Sequence, residues 1–287
     1  MEEEIRKKYE QAQSIAKEVL KFSEPLIKLN ARAFDIAEEI EKKMKSLGGL
    51  PAFPVNISIN EVAAHYTPDI NDSLVLKEND LVKVDFGVHI DGYISDNAFT
   101  ICVGGKSHPL IEASKKGLEE AVKLIKPGTK ISEISEAVEN TLNGFGFNPI
   151  RNLCGHGLDQ YVQHAGPTIP NGKNNLREEL EEGQVIAMEV FATNGSGLVK
   201  DSFPTLIYKF ASDKPTRMPE ARRILDKAKN EFFGLPFTKR WLVDIATSIK
   251  IDMSLRQLSE SGALMEYPVL KEINNGLVAQ TEETIVL

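Results

Sequence analysis

The alternation of apolar and polar positions divides the chain into helical and extended segments. Apolar residues recur at helical spacing through residues 3–47, first in IRKKYEQAQSIAKEVLKF and then in ARAFDIAEEIEKKMKSLG. Pro25 breaks the run and Gly48-Gly49 stops it. Amphipathic helices are also predicted over 109–126 and 131–145, separated by the Pro127-Gly128 turn, and over 219–233 and 238–262. Alternating or continuously apolar stretches predict strands at 53–60, 184–191, 203–211 and 276–287, and a hairpin over 80–103. KENDLVKVDFG (77–87) and EEGQVIAMEVF (181–191) superpose without gaps, which sets Asp85 opposite Glu189. A duplicated half-domain would carry one acid from each half to a shared centre. No low-complexity segment or linker interrupts the pattern.

The hairpin segment VDFGVHIDGYISDNAF (84–99) holds Asp85, Asp91 and Asp96, although aspartate is disfavoured in strands. Asp91-Gly92 is accounted for by a type I′ turn, which needs φ > 0 at both central residues. That loop pairs Ile90 with Tyr93, Gly87 with Asp96 and Asp85 with Ala98. Asp85 and Asp96 then share one sheet face as diagonal neighbours, roughly 7–8 Å apart. Two such charges repel and push one pKa up. A divalent metal pair would resolve the conflict; two solvated acids on an open sheet face fit this stretch equally well.

Bulk properties narrow the class. The 287 residues suffice for one large domain or two small ones, and the whole chain is read as one catalytic domain. The hydrophobic fraction of 41% and charged fraction of 26% are those of a soluble globule. A net charge of −8 argues against direct nucleic-acid binding. Two cysteines, Cys102 and Cys154, cannot form a disulfide framework and suit a reducing cytoplasm. The charged start MEEEIRKKYEQAQ is neither signal peptide nor anchor, and no apolar run reaches the ~18 residues of a membrane span.

Other polar residues stand out of place. Glu189 sits in VIAMEVFA and Glu282 in LVAQTEETIVL, both apolar strands where an unpaired buried carboxylate costs several kcal/mol. His156 lies between glycines in NLCGHGLDQY, where a ligand can approach closely. Each alone has a bland reading: an exposed edge glutamate, or a loop histidine. Asp85, Asp96, His156, Glu189 and Glu282 together make a mostly oxygen donor set with one imidazole, suited to Mn, Fe, Co or Zn. Two metals about 3.5–4 Å apart with bridging carboxylates would activate a water and polarise a carbonyl.

The motifs AAHYTP (63–68), DFGVHIDGYISDNAFT (85–100), GHGLDQYVQHAG (155–166), AMEVFAT (187–193) and AQTEETI (279–285) resemble the methionine aminopeptidases. The resemblance covers nearly the whole chain. It implies the α+β pita-bread fold, with pseudo-two-fold halves and a helical insert over about 212–268 before the last strand. The insert, with LPFTKRWL (235–242) and EYPVL (266–270), resembles the type 2 enzymes, and the lack of a long charged N-terminal extension resembles their archaeal forms. By this resemblance Asp85 would hold one of two divalent ions and Asp96 and Glu282 would bridge both. His156 and Glu189 would hold the other, Glu189 also moving a proton. His65 and His164 would bind the substrate carbonyl and the oxyanion, and Phe53, His65 and Tyr267 would line the methionine pocket. The substrates implied are nascent peptides with N-terminal methionine and a small second residue. The ribosome is a candidate partner, and a monomer is expected.

The chain departs from the family pattern at Gln163, where an aliphatic residue is usual, and at Val190, Thr281 and Glu283. Gln163 is expected near the methionine pocket, where it could relax the preference for methionine. Glu283 should point away from Glu282. The spacing D-x10-D…H…E…E is shared with prolidases and X-Pro aminopeptidases, the second reading. A non-catalytic binding module is the third, disfavoured by an intact ligand set on an acidic chain. His89 is expected on the face of Asp85 towards the turn, and His108 in a surface loop.

Overall fold

Helices α1 (Glu3–Ser23) and α2 (Ala33–Ser46) open the computed structural model, which describes residues 1–105 and 107–287. A single 3-10 turn (Glu24–Leu26) follows α1, because Pro25 has no N–H to continue the helix. Gly48, at φ 87°, takes the left-handed backbone that closes α2. Three short strands follow: β1 (Leu50–Pro51), β2 (Asn56–Ile59) and β3 (Val62–Ala64). The strand expected over 53–60 is thus only the four residues of β2; Pro54 lacks the donor a ladder needs.

The hairpin of β4 (Leu81–Ile90) and β5 (Tyr93–Cys102) has the expected register, Ile90 with Tyr93, Gly87 with Asp96 and Asp85 with Ala98. Asp91 and Gly92 lie at φ 50° and 87°, as a type I′ turn requires. Helices α3 (Pro109–Leu124) and α4 (Ile131–Gly144) come next. His108 caps α3, its Nδ1 accepting from the Leu110 N–H at 3.2 Å. Then come β6 (Asn148–Pro149), a second hairpin of β7 (Cys154–Asp159) and β8 (Val162–Pro170), and strands β9 (Val185–Thr193) and β10 (Val199–Phe210). The chain continues through α5 (Pro219–Asn230), β11 (Phe237–Thr238), a 3-10 turn (Lys239–Leu242) and α6 (Ser248–Glu260) to β12 (Leu264–Glu272) and β13 (Val278–Val286).

Two expectations are corrected here. The helix expected over 238–262 is only α6. Phe237, Leu242 and Ile245 share one apolar cluster with Ile251, Leu255 and Leu258, so one buried stripe runs through strand, turn and helix alike. Residues 264–268, assigned to the helical insert, belong to strand β12, which pairs along β10 and then with β3.

The strands form a nine-stranded sheet, β1-β4-β5-β13-β9-β7-β8, with β2 beside β4 and β6 beside β9. A four-stranded sheet runs β11-β10-β12-β3. Alternation sends Val82, Val84, Phe86 and Val88 of β4 against Ile15, Val19, Ile36 and Ile40 of α1 and α2. Likewise Ile186, Met188 and Val190 of β9 meet Leu110, Leu118, Ile134 and Val138 of α3 and α4. Each half of the sheet thus buries one face under its own helix pair, the two-fold arrangement of a pita-bread fold. The residues between these positions point to the other face, where the acids are.

Candidate metal centre and active site

Register lines the acids up. Asn56 pairs with Asp85, Asp85 with Ala98, Ala98 with Glu282, and Glu282 with Glu189, one row across β2, β4, β5, β13 and β9. Asp96 stands one diagonal step away opposite Gly87, and His156 joins from β7 opposite Ala187. All five line one cavity of about 50 Å³, together with His65, His164, Gln163 and Asn56. Asp85 and Glu189, aligned by the internal repeat, face each other there from the two halves. Ligand atoms of Asp96, His156 and Glu282 lie within 4.8 Å of one another. His156 Nε2 is 4.0 Å from Asp96 Oδ2 and its Nδ1 is 3.2 Å from the Gly157 carbonyl. With the proton on Nδ1, the Nε2 lone pair faces the acids, as metal-binding histidines are commonly held.

The central strands β5 and β13 are joined mainly through threonines. Thr284 Oγ1 accepts from Asp96 N–H at 2.7 Å and donates to the Asp96 carbonyl at 2.9 Å. Thr100 Oγ1 does the same for Gln280, accepting at 2.9 Å and donating at 2.7 Å. Each threonine stands two residues past one member of the Ala98–Glu282 pair, so the two clasps flank it symmetrically. Neither threonine, nor Gln280, nor Asn56 carries a sequence signal for this role.

Such a row of acids is electrostatically unfavourable by itself. Burial pushes the Asp85 carboxyl up to about 6, against donation from Gln280 and Asn56. Burial, then the neighbouring carboxylates, raise Asp96, Glu189 and Glu282 further. Burial also lowers His156 to about 4, and burial with the neighbouring His156 and His65 lowers His164 to about 3. Asp85 Oδ1, Asp96 Oδ1 and Glu282 Oε1 are buried with no hydrogen-bond partner among the described residues. Buried carboxylate oxygens without donors call for a cation. Clustered oxygens with one oriented imidazole fit a divalent ion.

The flanking residues divide into two groups. His65 and Tyr267 are edge to face with ring centroids 5.6 Å apart, and Tyr267 lies 6.2 Å from His164. His164 meets His156 at 4.6 Å. Neither Tyr267 nor Phe53 is among the lining residues: Tyr267 sits behind His65 and His164, whereas Phe53 packs over Gly87, behind the Asp96 backbone pair, in a cluster with Tyr93 and Leu158. Gln163 lies at the cavity with Asp96 and His164. Thr281 accepts from Ser114 of α3 and Glu283 faces Lys17 of α1, so both are on the helix side of the sheet. His89 is buried at the turn, its Nδ1 accepting from Gly92 N–H at 3.0 Å.

Residues 7–213 match the sequence description of metallopeptidase family M24. The methionine aminopeptidase of Thermococcus onnurineus is 48% identical over 277 residues, 96% of this chain and 94% of its own length. That of Archaeoglobus fulgidus is 42% identical over 287 residues, 100% of this chain and 97% of its own. Among solved structures, a thermophilic Arx1 superposes with a TM-score of 0.88 at 19% identity, covering 100% of this chain and 88% of its own. The methionine aminopeptidase of Thermotoga maritima gives 0.71 at 23% identity, covering 100% and 94%. At these identities the likeness speaks for the fold alone. The Pyrococcus furiosus prolidase gives 0.59 and covers 66% of this chain. Sequence identity, coverage and architecture agree: this chain belongs to metallopeptidase family M24, with the pita-bread fold, and within it to the archaeal methionine aminopeptidases.

Proposed function

We propose that the protein is a metal-dependent aminopeptidase that removes methionine from peptide N-termini, with a small second residue preferred. The observation that carries this reading is the row of buried acids with unpartnered oxygens around His156. Asp85, Asp96, His156, Glu189 and Glu282 would hold two divalent ions of Co, Mn, Fe or Zn. Such ions supply an activated water and a polarised carbonyl at neutral pH. The whole chain would act as one catalytic unit.

The protein's own groups then divide the work. His65 Nδ1 lies 3.1 Å from the Pro268 carbonyl, which only an N–H satisfies. Burial holds its pKa down, so the ring is neutral and Nε2 carries a lone pair. His65 would therefore accept from an N–H of the substrate backbone, in place of the carbonyl-binding role that the resemblance implied. The neutral His164 ring would donate to the substrate carbonyl as negative charge develops on it, the work of an oxyanion-stabilising group. Glu189, its carboxyl raised by burial, would take the water's proton and give it to the leaving amine. His65 and Tyr267 would contact the methionine side chain, with Phe53 supporting the wall behind Gly87. Nascent chains are the substrates this reading implies, a monomer suffices, and the ribosome remains a candidate docking partner.

Chelated protein reloaded with Co²⁺ or Mn²⁺ should release methionine from Met-Ala-Ser and leave Ala-Pro intact. Cleavage of Ala-Pro and Met-Pro alone would move the protein to the prolidase branch. Glu189→Ala should lose at least about 10²-fold in turnover, the lower bound for a general acid–base group, with an unchanged circular dichroism spectrum. Parental turnover in that variant would refute the assignment.

A further inference from the structure

One neutral side chain stands among the acids. Gln280 is 1% exposed, two residues before Glu282 on the same face of β13. Its Nε2 lies 3.4 Å from Asp85 Oδ2, 3.3 Å from Glu189 Oε2 and 3.4 Å from Glu282 Oε2. An amide has two N–H donors, so three carboxylates share them. The contacts are longer than the usual ~2.9–3.0 Å, as expected for a donor placed between acceptors rather than on one of them.

Two features fix this placement. Thr100 holds both the N–H and the carbonyl of Gln280, so the origin of the side chain is pinned on both sides. The amide oxygen has no partner among the described residues. Turning the amide over would give up all three N–H contacts. The three acceptors come from β4, β9 and β13, both halves of the sheet.

We propose that Gln280 is the positioning residue of the metal centre: its amide gathers Asp85, Glu189 and Glu282 into one arrangement before a metal binds. The inference rests on the metal-centre reading above and adds a residue that acts through the carboxylates it touches, Glu189 among them. Its energetic role is preorganisation. Carboxylates already converged need less reordering on metal entry, and outer partners of this kind typically govern metal affinity by about 10–100-fold.

The test uses Gln280→Met, which keeps the length of the side chain and removes both donors. Gln280→Asn keeps the amide but withdraws it by one methylene, and serves should the first variant not fold. Mn²⁺ is titrated calorimetrically into chelated full-length protein, and melting is followed with and without Mn²⁺. The expected result is a Mn²⁺ dissociation constant weakened about 10–100-fold, with a smaller Mn²⁺-induced rise in melting temperature. A side chain that merely fills space would lower both melting curves equally and leave the dissociation constant within about threefold of the parent, and that result overturns the proposal. Asp96→Asn is the ligand control and should abolish tight binding. If the parent chain itself binds no Mn²⁺, the metal-centre reading fails and the proposal with it, a result distinct from parent-like binding by the variants.

Discussion

Gln163, expected from the sequence to depart from the family pattern, lines the cavity. Its amide lies at the cavity with Asp96 and His164, so it brings a polar group to a wall that an aliphatic residue would make apolar. Gln163→Leu should sharpen the preference for methionine. The ratio of kcat/KM for Met-Ala-Ser over Leu-Ala-Ser is expected to rise by about tenfold, the scale of a small change in an apolar pocket. An unchanged ratio would place Gln163 outside the specificity wall. Such single residues were unequally legible in the sequence. Asp85, Asp96, Glu189 and Glu282 stood out because a carboxylate in an apolar strand contradicts its surroundings. Gln280 and Asn56 did not, because a neutral amide in a strand contradicts nothing. Only the register that sets them beside Asp85 shows their use.

At the scale of elements, the insert is fastened to the site by Arg240. Its guanidinium, from the 3-10 turn after β11, donates to Glu41 and Glu38 of α2, to Thr67 Oγ1 and, through Nε, to the Pro68 carbonyl at 2.7 Å. Trp241 Nε1 donates to Glu41 at 2.7 Å. Thr67 and Pro68 follow His65, which holds a left-handed backbone at φ 66° that only Gly, Asn and Asp adopt easily. The network thus ties α2, the insert and the His65 loop together. Arg240→Met should leave Glu41 as a buried charge short of partners and destabilise the protein by about 3–5 kcal/mol, measurable by urea unfolding. A loss below about 1 kcal/mol, the surface-pair range, would show that the network is not buried in solution. The β4–β5 hairpin was legible from Asp91-Gly92 alone, whereas β7–β8 was hidden. Its strands contain Gly155, Gly157, Gly166 and Pro167, which read as loop. Gly157 is there because a Cβ would collide with the Gly166 carbonyl across the hairpin. The close approach that carries His156 is what erased the strand signal.

Across the whole molecule, the acids make stability depend on metal and pH together. In metal-free protein Asp85 is raised from 3.8 to about 6 and the other three carboxyls stand well above their ordinary values, burial leading in each case. Groups raised in the fold bind protons that the unfolded chain has released. Their contribution is full below about pH 4 and is lost as pH rises through 6 and beyond. A cation needs the same groups ionised, so its affinity runs the other way. The difference in melting temperature between Mn²⁺-loaded and chelated protein should therefore be small at pH 5 and widen towards pH 8. A difference independent of pH would mean that Mn²⁺ sits elsewhere. The sheet order has a consequence for biosynthesis. β13 lies between β5 and β9, yet its residues leave the ribosome after both. Until residues 278–286 emerge, β5 and β9 present two open edges at the middle of the sheet, each with an acid awaiting Glu282. The nascent chain therefore passes through an interval in which two central edges are bare, and the proposed metal centre lacks Glu282 until β13 has been made.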